Sequence, residues 1–170
     1  MEERRVAVIP RVIVQGAMGP KEYGLLLTSE RSIFVLEKSS KAGIGAVLGG
    51  AIGAAIADAM SDKKSKDYSS CDPSALARDE KNICVSHASV IHLELKKKLS
   101  GYALRLNYTD AGGKQRKLAG LLAIPDSLSA KKKSEGVKSK RAMEEYAKMS
   151  RQALELALPP IVVQNAEWKI

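Results

Sequence analysis

Aromatic residues are scarce in this 170-residue chain: one Phe, one Trp and five Tyr, 4% of the total. A core built from it must therefore rest on Leu, Ile, Val, Ala and Met. Cysteine is scarcer still. Cys71 and Cys84 stand alone, which excludes a disulfide framework, and no short Cys pair offers half of a structural zinc site. The opening MEERRVAVIPRV carries charge at its front and no long apolar core, so no secretory signal is read there and a reducing cytoplasm is the expected location. Catalytic signatures are missing too: no G-x-S-x-G, no H-E-x-x-H, no phosphate loop ending in Gly-Lys-Ser. A non-enzymatic protein without a cofactor is expected. Acidic residues are the minority charge, 19 against 28 Lys and Arg, for a net charge of +9. That balance favours an anionic partner and says nothing about fold.

Long hydrophobic runs are also absent, with one exception. From Ala42 to Ala57, in KAGIGAVLGGAIGAAIADAM, no side chain is charged or polar, and five glycines interrupt it. Sixteen helical residues span about 24 Å, short of the roughly 30 Å of bilayer hydrocarbon. The flanking segments read as strands of one sheet, so a single span would place them on opposite sides of a membrane; a re-entrant hairpin is the one membrane form compatible with them. Gly45, Gly49, Gly53 and Ala57 recur every four residues and would lie along one side of a helix, where small residues let a second backbone approach closely. An inserted Gly/Ala-rich helix over residues 41–60, packed on protein, is the expectation. Gly43-Ile44-Gly45 also resembles a dinucleotide fingerprint, but Lys38 to Lys41 separates it from the preceding strand, and no second strand follows to present an acid to a ribose.

What is present is a change of period. YGLLLT and RSIFVLE are apolar runs joined by Ser29-Glu30, a hairpin signal. In SVIHLELKK, Ile91, Leu93 and Leu95 alternate with His92, Glu94 and Lys96. In GYALRLNYT, Tyr102, Leu104, Leu106 and Tyr108 alternate with polar or small residues. The turn Asp110 to Gly113 leads to a third strand, KQRKLAG, completing an antiparallel meander. Strand segments fall at about 9–38 and 83–120, with a polar loop over 61–82 holding at most a helical turn near Ser74 to Arg78. At the end, Met143, Tyr146, Ala147, Ala153, Leu154 and Ala157 form one stripe of an amphipathic helix over about 136–158, stopped by Pro159-Pro160. The tail, 159–170, would add an edge strand or dock across the body. One domain accounts for the whole chain.

A strand meander closed by one helix is similar to the pleckstrin-homology (PH)-like superfold. YGLLLTSERSIFVLEK resembles the second and third strands of its GRAM and bacterial PH-like branches, with Thr28, Glu30 and Arg31 in the turn. VSHASVIHLELKKKLSGYALRLNYTDAGGKQRKLAGL resembles the strands that follow. The resemblance implies an α+β fold: a bent antiparallel sheet or partly open barrel with a C-terminal capping helix. It implies a binding module. The lysine and basic-x-arginine group of phosphoinositide-binding members is not matched; that region holds Lys21 and Arg31.

The candidate anion-binding residues are Lys96, Lys97 and Lys98 with Lys114, Arg116 and Lys117, expected to form one patch; Lys131 to Lys133 form a separate tract. The partner would be an anionic lipid surface at the inner membrane face, a protein, or a second copy through the Gly/Ala-rich helix. The alternative is RNA or the ribosome. Cys71, Cys84, His87 and His92 could each ligate zinc, but their spacing favours a buried Cys84, two surface imidazoles and no metal.

Overall fold

A computed structural model of the chain describes residues 3–16, 19–39, 68, 70–99, 101–125, 134, 136 and 138–170. Its strands are β1 (Arg5–Gly16), β2 (Gly19–Thr28), β3 (Arg31–Ser39), β4 (Ile83–Ser86), β5 (Val90–Lys98), β6 (Gly101–Thr109), β7 (Gln115–Leu122) and β8 (Glu167–Lys169). Its helices are α1 (Pro73–Arg78), α2 (Ser139–Ala157) and α3 (Pro160–Gln164). The strands form one open sheet in the order β4-β3-β2-β1-β7-β6-β5-β8. Neighbours pair antiparallel except β5 with β8, which run parallel. The fold is α+β, and the sheet is mixed rather than antiparallel throughout. The tail causes this, because α3 reverses the chain before β8 joins β5.

One core gathers residues from both halves of the sheet. Ile9 and Val12 (β1), Leu25 and Leu27 (β2), Phe34 (β3), Val85 (β4), Leu93 and Leu95 (β5) and Leu104 and Leu106 (β6) meet Tyr146, Ala147 and Leu154 of α2 in a single cluster. The sheet therefore wraps around the helix. Gly120 of β7 makes room for the neighbouring β1: a Cβ there would lie 2.6 Å from Val12 Cγ1. A second, smaller core lies on the other face of β2 and β3, where Leu26, Ile33, Val35 and Tyr68 pack with Leu76 and Ala77 of α1. Burial on both faces is why YGLLLT and SIFVLE read as unbroken apolar runs rather than alternating ones.

β1 bends where its register shifts between Ile9 and Val12. Arg11 adopts φ 55°, a left-handed conformation costly for a residue with a Cβ. It is held there by Glu22, 3.5 Å from its Nε, and by donation from Nη1 to the Ile124 carbonyl at 3.0 Å. The Tyr146 hydroxyl donates to the Pro10 carbonyl, tying the bend to α2.

Two expectations about sidedness are corrected. Ile91 does not continue the buried row of Leu93 and Leu95; a register shift between Val90 and His92 turns it out, 52% exposed. Cys84 is exposed rather than buried, because Ile83 and Val85 take the core face of β4 and leave the thiol opposite them. The segment expected to form a Gly/Ala-rich helix, with Gly45, Gly49, Gly53 and Ala57, lies outside the described residues, as does Lys131 to Lys133. Among the described residues, no helix is long and apolar enough to cross a membrane.

Candidate anion-binding surface

Strand register decides which of the basic residues meet. Directly paired residues share a face, and faces alternate along each strand. Leu93 pairs with Leu106 and Leu95 with Leu104, which fixes the core side. Lys96, opposite Ala103, and Lys98, opposite Gly101, therefore lie on the outer side. Arg105 lies there too, between Glu94 of β5 and Ala119 of β7, and Lys117 pairs with Asn107 in the same plane. On the parallel edge, Glu167 stands beside Glu94 and Lys169 beside Lys96. The outer face of β5 to β8 thus carries Lys96, Lys98, Arg105, Lys117 and Lys169 against two carboxylates.

The expected single patch is redistributed. Only Lys96, Lys98 and Lys117 of the six candidates share this face. Lys97 pairs with Tyr102 and so projects on the core side, at the sheet's end. There it joins Lys148 in holding the Glu144 carboxyl below its ordinary range, the Lys148 hydrogen bond at 2.9 Å being the larger cause. Lys114 lies in the β6–β7 turn, and Arg116 is the second residue of β7, paired with Tyr108 on the core side. Asp110 Oδ1 accepts from the backbone N–H of Gly112 and Lys114, and Arg116 Nε donates to Oδ2 at 2.7 Å. The Arg116 bond first, then the backbone donors, depress the Asp110 pKa. Arg116 is spent on the turn.

Two cations of the face were missed. Arg105 was legible, since it occupies a wet position in the alternation of GYALRLNYT. Lys169 was not, because its place depends on the parallel pairing of a three-residue strand. Arg105 Nη1 lies 2.9 Å from Glu94 Oε2, and Lys96 Nζ 3.9 Å from Oε1. Glu94 is only 7% exposed, covered by these partners. Lys169 is bonded to Glu167, which also stands 3.8 Å from His92 Nε2. Lys98 and Lys117 are exposed, with no carboxylate at ion-pair distance among the described residues.

A second polar cluster closes the β2–β3 hairpin. Thr28 Oγ1 accepts from the backbone N–H of Glu30 at 3.2 Å and of Arg31 at 2.9 Å, and donates to Glu3 Oε1 at 2.6 Å. Arg31 Nη2 pairs with Glu3 Oε2 at 2.8 Å. Ser32 Oγ lies 3.1 Å from His87 Nε2. His87 is therefore not the surface imidazole that was expected. It is 3% exposed, and burial lowers its pKa to about 4. Ser32 and Thr28 are equally enclosed, so these groups fasten the turn. Cys71 is half-buried near α1, Cys84 lies on β4 and His92 on β5. No group of three or more His, Cys, Asp and Glu able to hold a metal occurs among the described residues.

No family model matches the chain, and no curated protein matches it. Among solved structures the chain is similar to the hSac2 domain from human phosphoinositide phosphatase Sac2, with a TM-score of 0.45 at 8% identity, over 98% of this chain and 76% of that one.

Proposed function

We propose that the chain is a non-enzymatic, PH-like binding module that docks its outer β5–β8 face on an anionic membrane surface, the inner face of a cell membrane being the natural one. Seven antiparallel strands bent around one C-terminal helix, with Thr28, Glu30 and Arg31 in the second hairpin, support the family reading. The observation that carries the function is the spread of cations over one face. Lys117 stands level with Asn107 and Lys98 level with Gly101, six residues apart along β6. At about 3.4 Å per residue that is roughly 20 Å. It is about two and a half Debye lengths at physiological salt. Charges so spaced cannot converge on one phosphate; they suit a field of them. Tyr102, Tyr108 and Trp168 all lie in rows of the core face, so the outer face offers no Tyr, Trp or Phe for stacking a base, and lipid is favoured over RNA.

Sedimentation with phosphatidylcholine vesicles, with and without phosphatidylserine, tests this. Binding should require phosphatidylserine and weaken with salt. Each lysine near an anionic surface contributes about 1 kcal/mol. The double variant Lys98→Glu, Lys117→Glu should therefore lose at least about tenfold. RNA retention in a gel shift without vesicle binding would favour the nucleic-acid alternative. Binding to neither at low salt would end both readings.

A further inference from the structure

We propose that Leu99 is an apolar wedge that enters the bilayer at the tip of the β5–β6 hairpin; this rests on the membrane reading above. Lys98 pairs with Gly101, which leaves two residues to make the connection. The first of them, Leu99, is fully exposed, against 77% for Leu156, the next most exposed large hydrophobic among those described. It touches no core. Two-residue hairpin connections favour Asn, Gly and Asp, which relieve the backbone or bond to it, and leucine does neither. The fold therefore has no use for an isobutyl group there.

Its surroundings identify an occupant. Lys96, Lys97 and Lys98 lead directly into it, and strand alternation sends them to both sides of the hairpin. Lys98 projects on the outer side, and Lys97 on the helix side, close enough to act on Glu144. Met143 also lies at this end, its Cε 3.0 Å from where a Cβ on Gly101 would be. Helix α2 thus backs the hairpin and stiffens it. A protruding apolar tip collared by cations is complementary to one medium: hydrocarbon beneath a layer of phosphates. The lysine stems can lie along that boundary with their ammonium groups at headgroup level. A nucleic acid would meet the lysines and leave Leu99 in water.

The test separates the wedge from the charged face. Leu99→Ser should weaken binding to phosphatidylserine-containing vesicles by about tenfold or more, the worth of burying a leucine. Its salt dependence should match that of the wild type, since no charge is lost. Leu99 is exposed, so the variant's melting temperature should be unchanged. Leu99→Trp should shift its emission to the blue on binding and be quenched by bromine-labelled acyl chains, measured against the Trp168 signal of the wild type. If the wild type binds these vesicles while Leu99→Ser binds equally well and the L99W indole stays unquenched, the wedge is overturned and the charged-face reading stands. If Leu99 matters equally on neutral vesicles, the wedge stands and the charged face is overturned. No vesicle binding by the wild type at low salt overturns both.

Discussion

His87 is neutral inside the fold because burial penalises its charge. Glu3 and a backbone hydrogen bond at Ser29 act against that. Its pKa falls from an ordinary 6.5 to about 4. Above pH 6.5 the imidazole is neutral in folded and unfolded chains alike and contributes nothing to the pH dependence. Between 6.5 and 4 the unfolded chain takes up a proton that the folded chain refuses, so stability falls as pH falls, by up to about 1.4 kcal/mol per pH unit. His87→Gln removes the titration. Urea unfolding at pH 7 and pH 5 should show a smaller loss for the variant than for the wild type, whatever its stability at pH 7. Equal losses would place the acid sensitivity elsewhere. Gly24 shows a different residue-scale constraint. A Cβ there would lie 2.1 Å from the Tyr68 hydroxyl and 2.6 Å from Glu37 Oε1, so the bare backbone is what lets Tyr68 lie across β2 and bond to Glu37.

Helix α2 is better fastened along its length than at its start. Tyr146, Ala147, Leu154 and Ala157 bury one stripe, and Arg151 stacks over Trp168 at 5.1 Å. The N-cap, Lys138, makes no side-chain bond to the helix, and the first turn holds no acid. Cations there oppose the helix dipole. Lys138→Asp would supply a capping oxygen and the favourable charge, a gain of about 1 kcal/mol in chemical unfolding. No gain would mean that the terminus is already satisfied in another way. The three i,i+4 pairs add little by comparison. Glu144 to Lys148 runs in the favoured order, while Arg141 to Glu145 and Arg151 to Glu155 run in reverse.

An open sheet has two edges, and this molecule keeps both short: four residues in β4 and three in β8. Short edges discourage pairing between molecules, and β8 adds charge through Glu167 and Lys169. Ending the chain at Asn165 would remove β8 and leave nine-residue β5 as an edge. Lost with it would be Trp168, which packs on the core beside Leu95. The truncated chain should melt lower and associate in light scattering at concentrations where the full chain does not. Unchanged mass would show that β8 does not guard that edge.

Turn residues and hydrophobic spacing together determined the hairpin of β2 and β3, the meander of β5 to β7, the Asp110 turn and the apolar stripe of α2, because each is signalled by residues near in sequence. Only the tertiary structure decided what each face meets. Cys84 lost its expected burial because Ile83 and Val85 take the core face of β4, and His87 gained its own beside Ser32 of β3. Ile91 left its row because of a bulge that alternation cannot announce. Lys96, Lys98 and Lys117 joined Arg105 and Lys169, while Lys97 and Arg116 turned elsewhere, because register between strands is a property of the pair. The second core under α1 has the same origin. A strand's own sequence says that two faces are apolar; packing across the whole chain chooses what covers them.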